Sequence, residues 1–255
     1  NCIIIEGAGD RSFCAGGDVV KLRKEVLADG GPPTNLSKSF FYDEYTLNYK
    51  ISNYKKPFIS LINGFTMGGG VGVSMHGSHV VASEKTMFAM PETAIGLFPD
   101  VGGGWLLGQL DKGIGAWLSL VGARIKAHDL LKLKLITHYV SSEKVEILKN
   151  SIISSSPNSN QNVNNIIDQF SSKPKTEDSV LMNNGELIKK VFSYDTIEQI
   201  FDECEKLIEN ENEFLKVQYE ELKHKSPTSL KISLKQIRNA SHMSLKDELI
   251  MEYRM

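Results

Sequence analysis

Apolar residues along this chain keep two different spacings, and the change between them divides it. Up to about Val140 they fall in short runs bounded by glycine, proline or polar residues, the pattern of strands alternating with helices. Strands are expected near residues 2–6, 57–62, 79–82 and 87–89. Ile3-Ile4-Ile5 and Phe58-Ile59-Ser60-Leu61-Ile62 are the strongest of these runs. Past Gly70, the residues Val71, Val73 and Met75 read as a buried helix, with Gly69 and Gly70 in its first turn. Gly102-Gly103-Gly104 opens another helix containing Trp105, Leu106 and Leu107, and Gly113 to Val121 forms part of a third that Gly122 closes. Asp18 reads as the N-cap of a helix beginning Val19-Val20-Lys21-Leu22, and Asp29-Gly30-Gly31-Pro32-Pro33 as a breaker-rich loop.

Over residues 141–255 the spacing becomes helical. Ile197, Ile200, Phe201, Cys204, Leu207 and Ile208 recur on one face with acids and lysines between them. Pro227 suits the first turn of the helix carrying Leu230, Ile232 and Leu234, and Ser244 with Asp247 caps a last one. Ser154 to Asn165, rich in Ser, Asn, Gln and Pro, is expected to be a flexible surface insertion. No internal repeat is evident. The chain begins in a strand-like run without an initiator Met and stops at Glu252-Tyr253-Arg254-Met255 inside a helical pattern, so truncation at both ends is expected.

The candidate chemistry lies in two glycine-rich turns, Phe13-Cys14-Ala15-Gly16-Gly17-Asp18 and Met67-Gly68-Gly69-Gly70-Val71-Gly72, each following a strand-like run. Glycine lets backbone N–H groups approach a ligand closely, and the first turn of a helix leaves such groups unpaired. One donor from each turn would form an oxyanion hole, in which a single donor typically lowers a barrier by about 2.7–4 kcal/mol. Plain turns are the alternative reading. No Gly-Lys-Ser/Thr follows the second cluster, and no strand-linked G-x-G-x-x-G is present, so neither a P-loop nor a dinucleotide fingerprint is supported.

These turns, together with Asn63-Gly64, Met90-Pro91-Glu92-Thr93, Pro99-Asp100-Val101-Gly102-Gly103 and Ser226-Pro227-Thr228-Ser229-Leu230-Lys231, resemble the ordered motifs of the crotonase (enoyl-CoA hydratase/isomerase) superfamily, and most nearly its 3-hydroxyisobutyryl-CoA hydrolase branch. The resemblance implies an α/β fold with a ββα spiral core over 1–140 and a mainly helical region over 141–255. It implies that the backbone amides of Ala15 and Gly69 hold a thioester carbonyl. The two hydratase glutamates map to Gly72 and Glu92, so the first acid is lost, while Asp100 follows the hydrolase pattern. Glu92 is then the expected nucleophile or general base, and Asp100 its partner for water or for the leaving thiol. Glu44 matches a position that contacts the acyl group; a solvated helix acid is its other reading. The implied reaction is hydrolysis of 3-hydroxyisobutyryl-CoA in valine breakdown, with substrate binding by Glu44, Gly69, Glu92 and Asp100. An enoyl-CoA hydratase or isomerase and a non-catalytic structural subunit are the alternatives. A mitochondrial home is implied, with a peroxisomal alternative.

Composition changes this picture little. The 255 residues, 41% hydrophobic with a net charge of −2, give no basic surface for nucleic acid, and no run of eighteen apolar residues suggests a membrane span. Cys2, Cys14 and Cys204 are too few and scattered for a disulfide framework or a zinc site. Cys14 reads as a packing residue in preference to a nucleophile, and His76 and His79 as core or surface residues in preference to metal ligands. Lys21, Arg23 and Lys24 either meet CoA phosphates or form a solvated helix face. No metal, and no cofactor beyond the substrate's CoA, is expected; homo-oligomerisation is left open.

Overall fold

The computed structural model describes residues 1–177, 179–209 and 212–255. Its chain alternates between two four-stranded sheets. β1 (Ile3–Glu6) starts one sheet and β2 (Ser12–Cys14) the other. Helices α1 (Val19–Ala28) and α2 (Asn35–Ser52) return the chain to β3 (Phe58–Ile62), beside β1, and then to β4 (Phe65–Met67), beside β2. The short α3 (Gly69–Gly72) leads to β5 (His79–Ala82) and β6 (Met87–Ala89), which extend the two sheets in the same way. All these pairs are parallel, with Ile3 opposite Phe58 and Ile59 opposite His79. This is the ββα winding that the resemblance implies.

A 3-10 turn (Glu92–Ile95), α4 (Gly103–Gly108) and α5 (Lys112–Val121) follow, and then β7 (Ile125–Lys126) joins β6 antiparallel. After α6 (Ala127–Lys132), β8 (His138–Tyr139) completes the first sheet. The remaining helices are α7 (Ser142–Ser155), α8 (Asn160–Ile167), α9 (Val180–Phe192), α10 (Ile197–Ile208), α11 (Glu213–Lys223), α12 (Pro227–Ala240) and α13 (Leu245–Arg254).

Burial explains the patterns. Every residue of β3 is buried, as expected for a parallel strand covered on both faces, and so is every residue of α5 after Lys112. Trp117, Phe88 and Phe192 fill the main core, and Trp117 Nε1 donates to Gln218 Oε1 at 2.8 Å, which removes the cost of burying the indole N–H. The caps at Asp18 and Ser244 are present as expected, and Ser226 caps the helix that Pro227 opens, each accepting from the backbone amide three residues on.

The segment 154–165 differs from its expectation. It contains the end of α7 and most of α8, and Ile152, Val163 and Ile167 are fully buried against Ile59, Leu61 and Val81 of the first sheet. Composition concealed the pattern: Val163, Ile166 and Ile167 are one helical turn apart and form a narrow apolar stripe, and burying each contributes roughly 1.5–3 kcal/mol. Ser159 caps the helix by accepting from the Asn162 amide, and Asn164 accepts from His79 Nε2 at 3.1 Å. The helix expected past Gly70 is also shorter than its apolar residues imply, since α3 ends at Gly72 and turns carry the chain to β5.

Candidate active site

The two glycine turns follow β2 and β4, adjacent parallel strands of one sheet, and so stand side by side. A methyl group built on Gly16 would lie 3.7 Å from the Gly69 amide nitrogen, and the Gly16 φ of 105° suits only glycine. Among the described residues neither the Ala15 nor the Gly69 N–H donates to a turn or loop acceptor. Both turns line a cavity of about 400 Å³, shared with Glu44, Glu92 and Asp100. All five residues that the resemblance singles out for the site therefore meet in one place.

The carboxylates are set hard against the backbone. A methyl on Gly69 would stand 2.7 Å from Glu44 Oε1, and one on Gly68 would stand 2.8 Å from Glu92 Oε1. Glu92 opens the 3-10 turn and is 5% exposed, with Oε2 buried and without a hydrogen-bond partner in the structure. Burial, reinforced by the charges of Asp100 and Glu44, pushes its carboxyl well above the usual range. Glu44, on α2, is raised to about 7 by burial and by Asp100. Asp100 is raised to about 6 by burial, partly offset by the Tyr45 hydroxyl, which donates to Oδ2 at 2.8 Å. Three acids in one enclosed space hold protons near neutral pH that isolated carboxylates would release, the condition for moving protons to and from a reacting group.

Gly72 is closed to any side chain. A methyl there would lie 2.5 Å from Val101 Cβ and 2.8 Å from Asn48 Nδ2. The position has been filled from outside by neighbours, so the absent acid leaves no cavity behind.

The loop carrying Asp100 is strained. Val101 has a φ of 55°, a region that β-branched residues avoid and that costs about 1–3 kcal/mol, so surrounding structure must impose it. Its carbonyl accepts from His76 Nε2 at 2.8 Å; burial lowers the His76 pKa, which keeps the ring neutral with its proton on Nε2 for this bond. The next amide, Gly102 N–H, donates to Glu252 Oε2 at 3.0 Å and Oε1 at 3.2 Å. Gln236 Nε2 donates to the Pro99 carbonyl at 2.9 Å.

Sequence reasoning missed Tyr45, Gln236 and Glu252. A signal for the last existed: Glu248, Leu249 and Glu252 share the buried face of α13, where acids interrupt an apolar stripe. The other residues considered fall where packing puts them. Cys14 packs against the main core, His79 Nδ1 lies 2.8 Å from Ser78 Oγ, and Lys21, Arg23 and Lys24 are exposed along α1.

A family profile described as enoyl-CoA hydratase/isomerase matches residues 1–255. The chain is 42% identical over 257 residues to the mitochondrial 3-hydroxyisobutyryl-CoA hydrolase of Danio rerio, covering 99% of this chain and 65% of that protein. It is 40% identical over 256 residues to the protein of that name from Homo sapiens, covering 99% of this chain and 64% of that protein. Among solved structures, a carnitinyl-CoA dehydratase from Mycobacterium thermoresistibile superposes with a TM-score of 0.89 at 32% identity, over 99% of this chain and 70% of that one. The chain thus spans a little under two thirds of the curated relatives it matches.

Proposed function

The chain belongs to the enoyl-CoA hydratase/isomerase family, and from that premise we propose that it hydrolyses the thioester of 3-hydroxyisobutyryl-CoA to free CoA and the hydroxy acid. The observation that carries this reading is the pairing of a closed Gly72 with an acid cluster of Glu92, Asp100 and Glu44 in the same cavity as the two glycine turns. Adding water across a double bond calls for a second acid beside Glu92, and Val101 and Asn48 occupy its place. Hydrolysis needs a polarised carbonyl, one carboxylate to attack or to activate water, and a proton for the thiol.

The amides of Ala15 and Gly69 receive the thioester oxygen and stabilise the charge that develops on it. Glu92, which holds a proton in the free site, passes it to Asp100 when substrate binds. The ionised Glu92 then attacks the carbonyl carbon, the C–S bond breaks, and Asp100 gives that proton to the departing sulfur. Water then adds to the resulting anhydride, its proton returning to Asp100, and the hydroxy acid leaves with Glu92 restored. In the alternative route Glu92 takes a proton from water that attacks directly. Glu44, raised to about 7 and facing Gly69, hydrogen-bonds the 3-hydroxyl. These groups supply each step without a cofactor beyond the substrate's CoA. The mitochondrial names of the relatives support a mitochondrial home and offer nothing for a peroxisomal one.

Thiol release from 3-hydroxyisobutyryl-CoA by the full-length protein, measured beside crotonyl-CoA hydration, tests the reading. Release with negligible hydration is expected. Hydration without release would overturn it in favour of a hydratase, and silence in both assays in favour of a structural role. Glu44→Gln is expected to narrow the preference for 3-hydroxyacyl over plain acyl thioesters.

A further inference from the structure

Glu252 is buried to 3% exposure at the far end of α13, away from the glycine turns in sequence, yet its carboxylate closes on the backbone beside Asp100. Both of its oxygens face the Gly102 amide, at 3.0 and 3.2 Å, and Oε1 also accepts from Gln236 Nε2 at 3.3 Å. The same Gln236 nitrogen holds the Pro99 carbonyl, so the residues on either side of Asp100-Val101 are tied to α12 and α13. From the opposite side His76 holds the Val101 carbonyl, and the missing side chain at Gly72 admits Val101 itself. A left-handed valine persists only while such contacts outlast its tendency to relax. Were it to relax, the peptide following Asp100 would rotate, and the carboxylate would leave the cavity and the Tyr45 hydroxyl.

We infer that Glu252 is a positioning residue for the reaction proposed above: by accepting the Gly102 amide it keeps the left-handed turn at Val101, and so directs Asp100 into the cavity it shares with Glu92. Helix α13 thereby acts on the chemistry without touching substrate. It also packs on α2, where Tyr253 meets Tyr42 edge to face, and α2 carries Glu44 and Tyr45. One helix thus fixes both sides of the acid cluster. Gln236 is the second hold on the same loop.

The inference rests on the thioesterase reading for its kinetic part, so the test pairs kinetics with a measurement that needs no turnover. In the full-length protein, Glu252→Leu is expected to lower kcat for thiol release about 10- to 100-fold with KM nearly unchanged. Glu252→Gln, which keeps an oxygen for the Gly102 amide, should stay within a few fold of wild type. Combined with Asp100→Asn, Glu252→Leu should cost almost nothing further, since both act through one carboxylate. Should Glu252→Leu fail to fold, Gln236→Leu takes its place in the cycle. Hydrogen exchange at the Gly102 amide is expected to be slow in wild type and fast in the leucine variant. Full additivity with Asp100→Asn, equal losses in the Gln and Leu variants, or a freely exchanging Gly102 amide in wild type would each overturn the inference. A wild type without thiol release but with the expected exchange behaviour would overturn the thioesterase reading and leave the hold on the turn standing.

Discussion

The cavity has two unlike walls. One is the 3-10 turn that opens at Glu92 and the Pro99–Gly103 loop, with α13 behind them: Glu92, Asp100, Val101 and Glu252 are all buried, and hydrogen bonds from Tyr45, His76, Gln236 and the Gly102 amide fix the loop. The other is α1, which has no buried residue and leaves Val20 and Leu27 62% exposed. Apart from the Asp18 cap and a Thr34 hydroxyl on Glu25, little holds it. Groups that must meet a reacting atom gain from a rigid setting, whereas an entrance gains from a segment whose opening costs little. The proposed chemistry sits on the first wall. The second faces the solvent from which the proposed substrate would arrive.

Glu92→Gln is expected to have the largest effect. As the group proposed to attack or to activate water, Glu92 should take thiol release down by roughly 10²–10⁴-fold when lost. Stability should hold, because burial already keeps the Glu92 carboxyl uncharged near neutral pH and its Oε2 has no hydrogen bond to lose. Steady-state kinetics and a urea midpoint check both halves, and near-normal turnover would break the assignment of chemistry to this wall.

Gly72→Glu restores the acid of the hydratases but meets Val101 Cβ at 2.5 Å. Overpacking together with a buried charge should cost about 3 kcal/mol or more in the urea midpoint, without producing crotonyl-CoA hydration. The matching change on the other wall, Val20→Glu, should cost less than about 0.5 kcal/mol. Equal costs would erase the contrast between the walls.

Buried acids give the first wall a pH signature. Asp100 binds its proton more tightly when folded, with a pKa of about 6 against 3.8 for the free group, so its contribution to stability is fully present below pH 3.8 and is lost as pH rises through about 6. Glu44 behaves likewise between 4.5 and about 7. Stability should therefore decline from these groups as pH rises across that window, and Asp100→Asn should flatten the lower part. Urea midpoints between pH 4 and 8 give the comparison, and an unchanged slope in the variant would remove Asp100 from the account.

How much of this was legible in sequence follows the range of the forces involved. Strands β3 and β5 and helix α5 announce themselves because their burial is written in consecutive residues. The glycine turns, Glu92 and Asp100 carry local motifs. By contrast β2 and β4, three residues each, are strands only because each has a partner across the sheet, and no local pattern encodes that. The stripe of α8 was hidden among Asn and Ser, whose composition suggested a loop. Glu252 lies 152 positions from Asp100 in sequence, and its role depends on a helix docking that no spacing rule reports. Val101 in a left-handed turn is against local preference, and only the contacts that impose it make it readable.

Val19→Ser is expected to have the smallest effect and to test the entrance wall directly. Val19 lines the cavity yet is 47% exposed, so removing its apolar surface takes little from the fold, and the urea midpoint should move by less than about 0.5 kcal/mol. With an acyl-CoA bound, the same side chain loses its remaining contact with water, and forfeiting that burial costs on the order of 1 kcal/mol, or roughly 5-fold in KM. The chemical step is set by the opposite wall and kcat should not change. A fall in kcat as large as the rise in KM would mean that α1 helps to orient the thioester, and the division of labour between the walls would then have to be redrawn with α1 on the side of the chemistry.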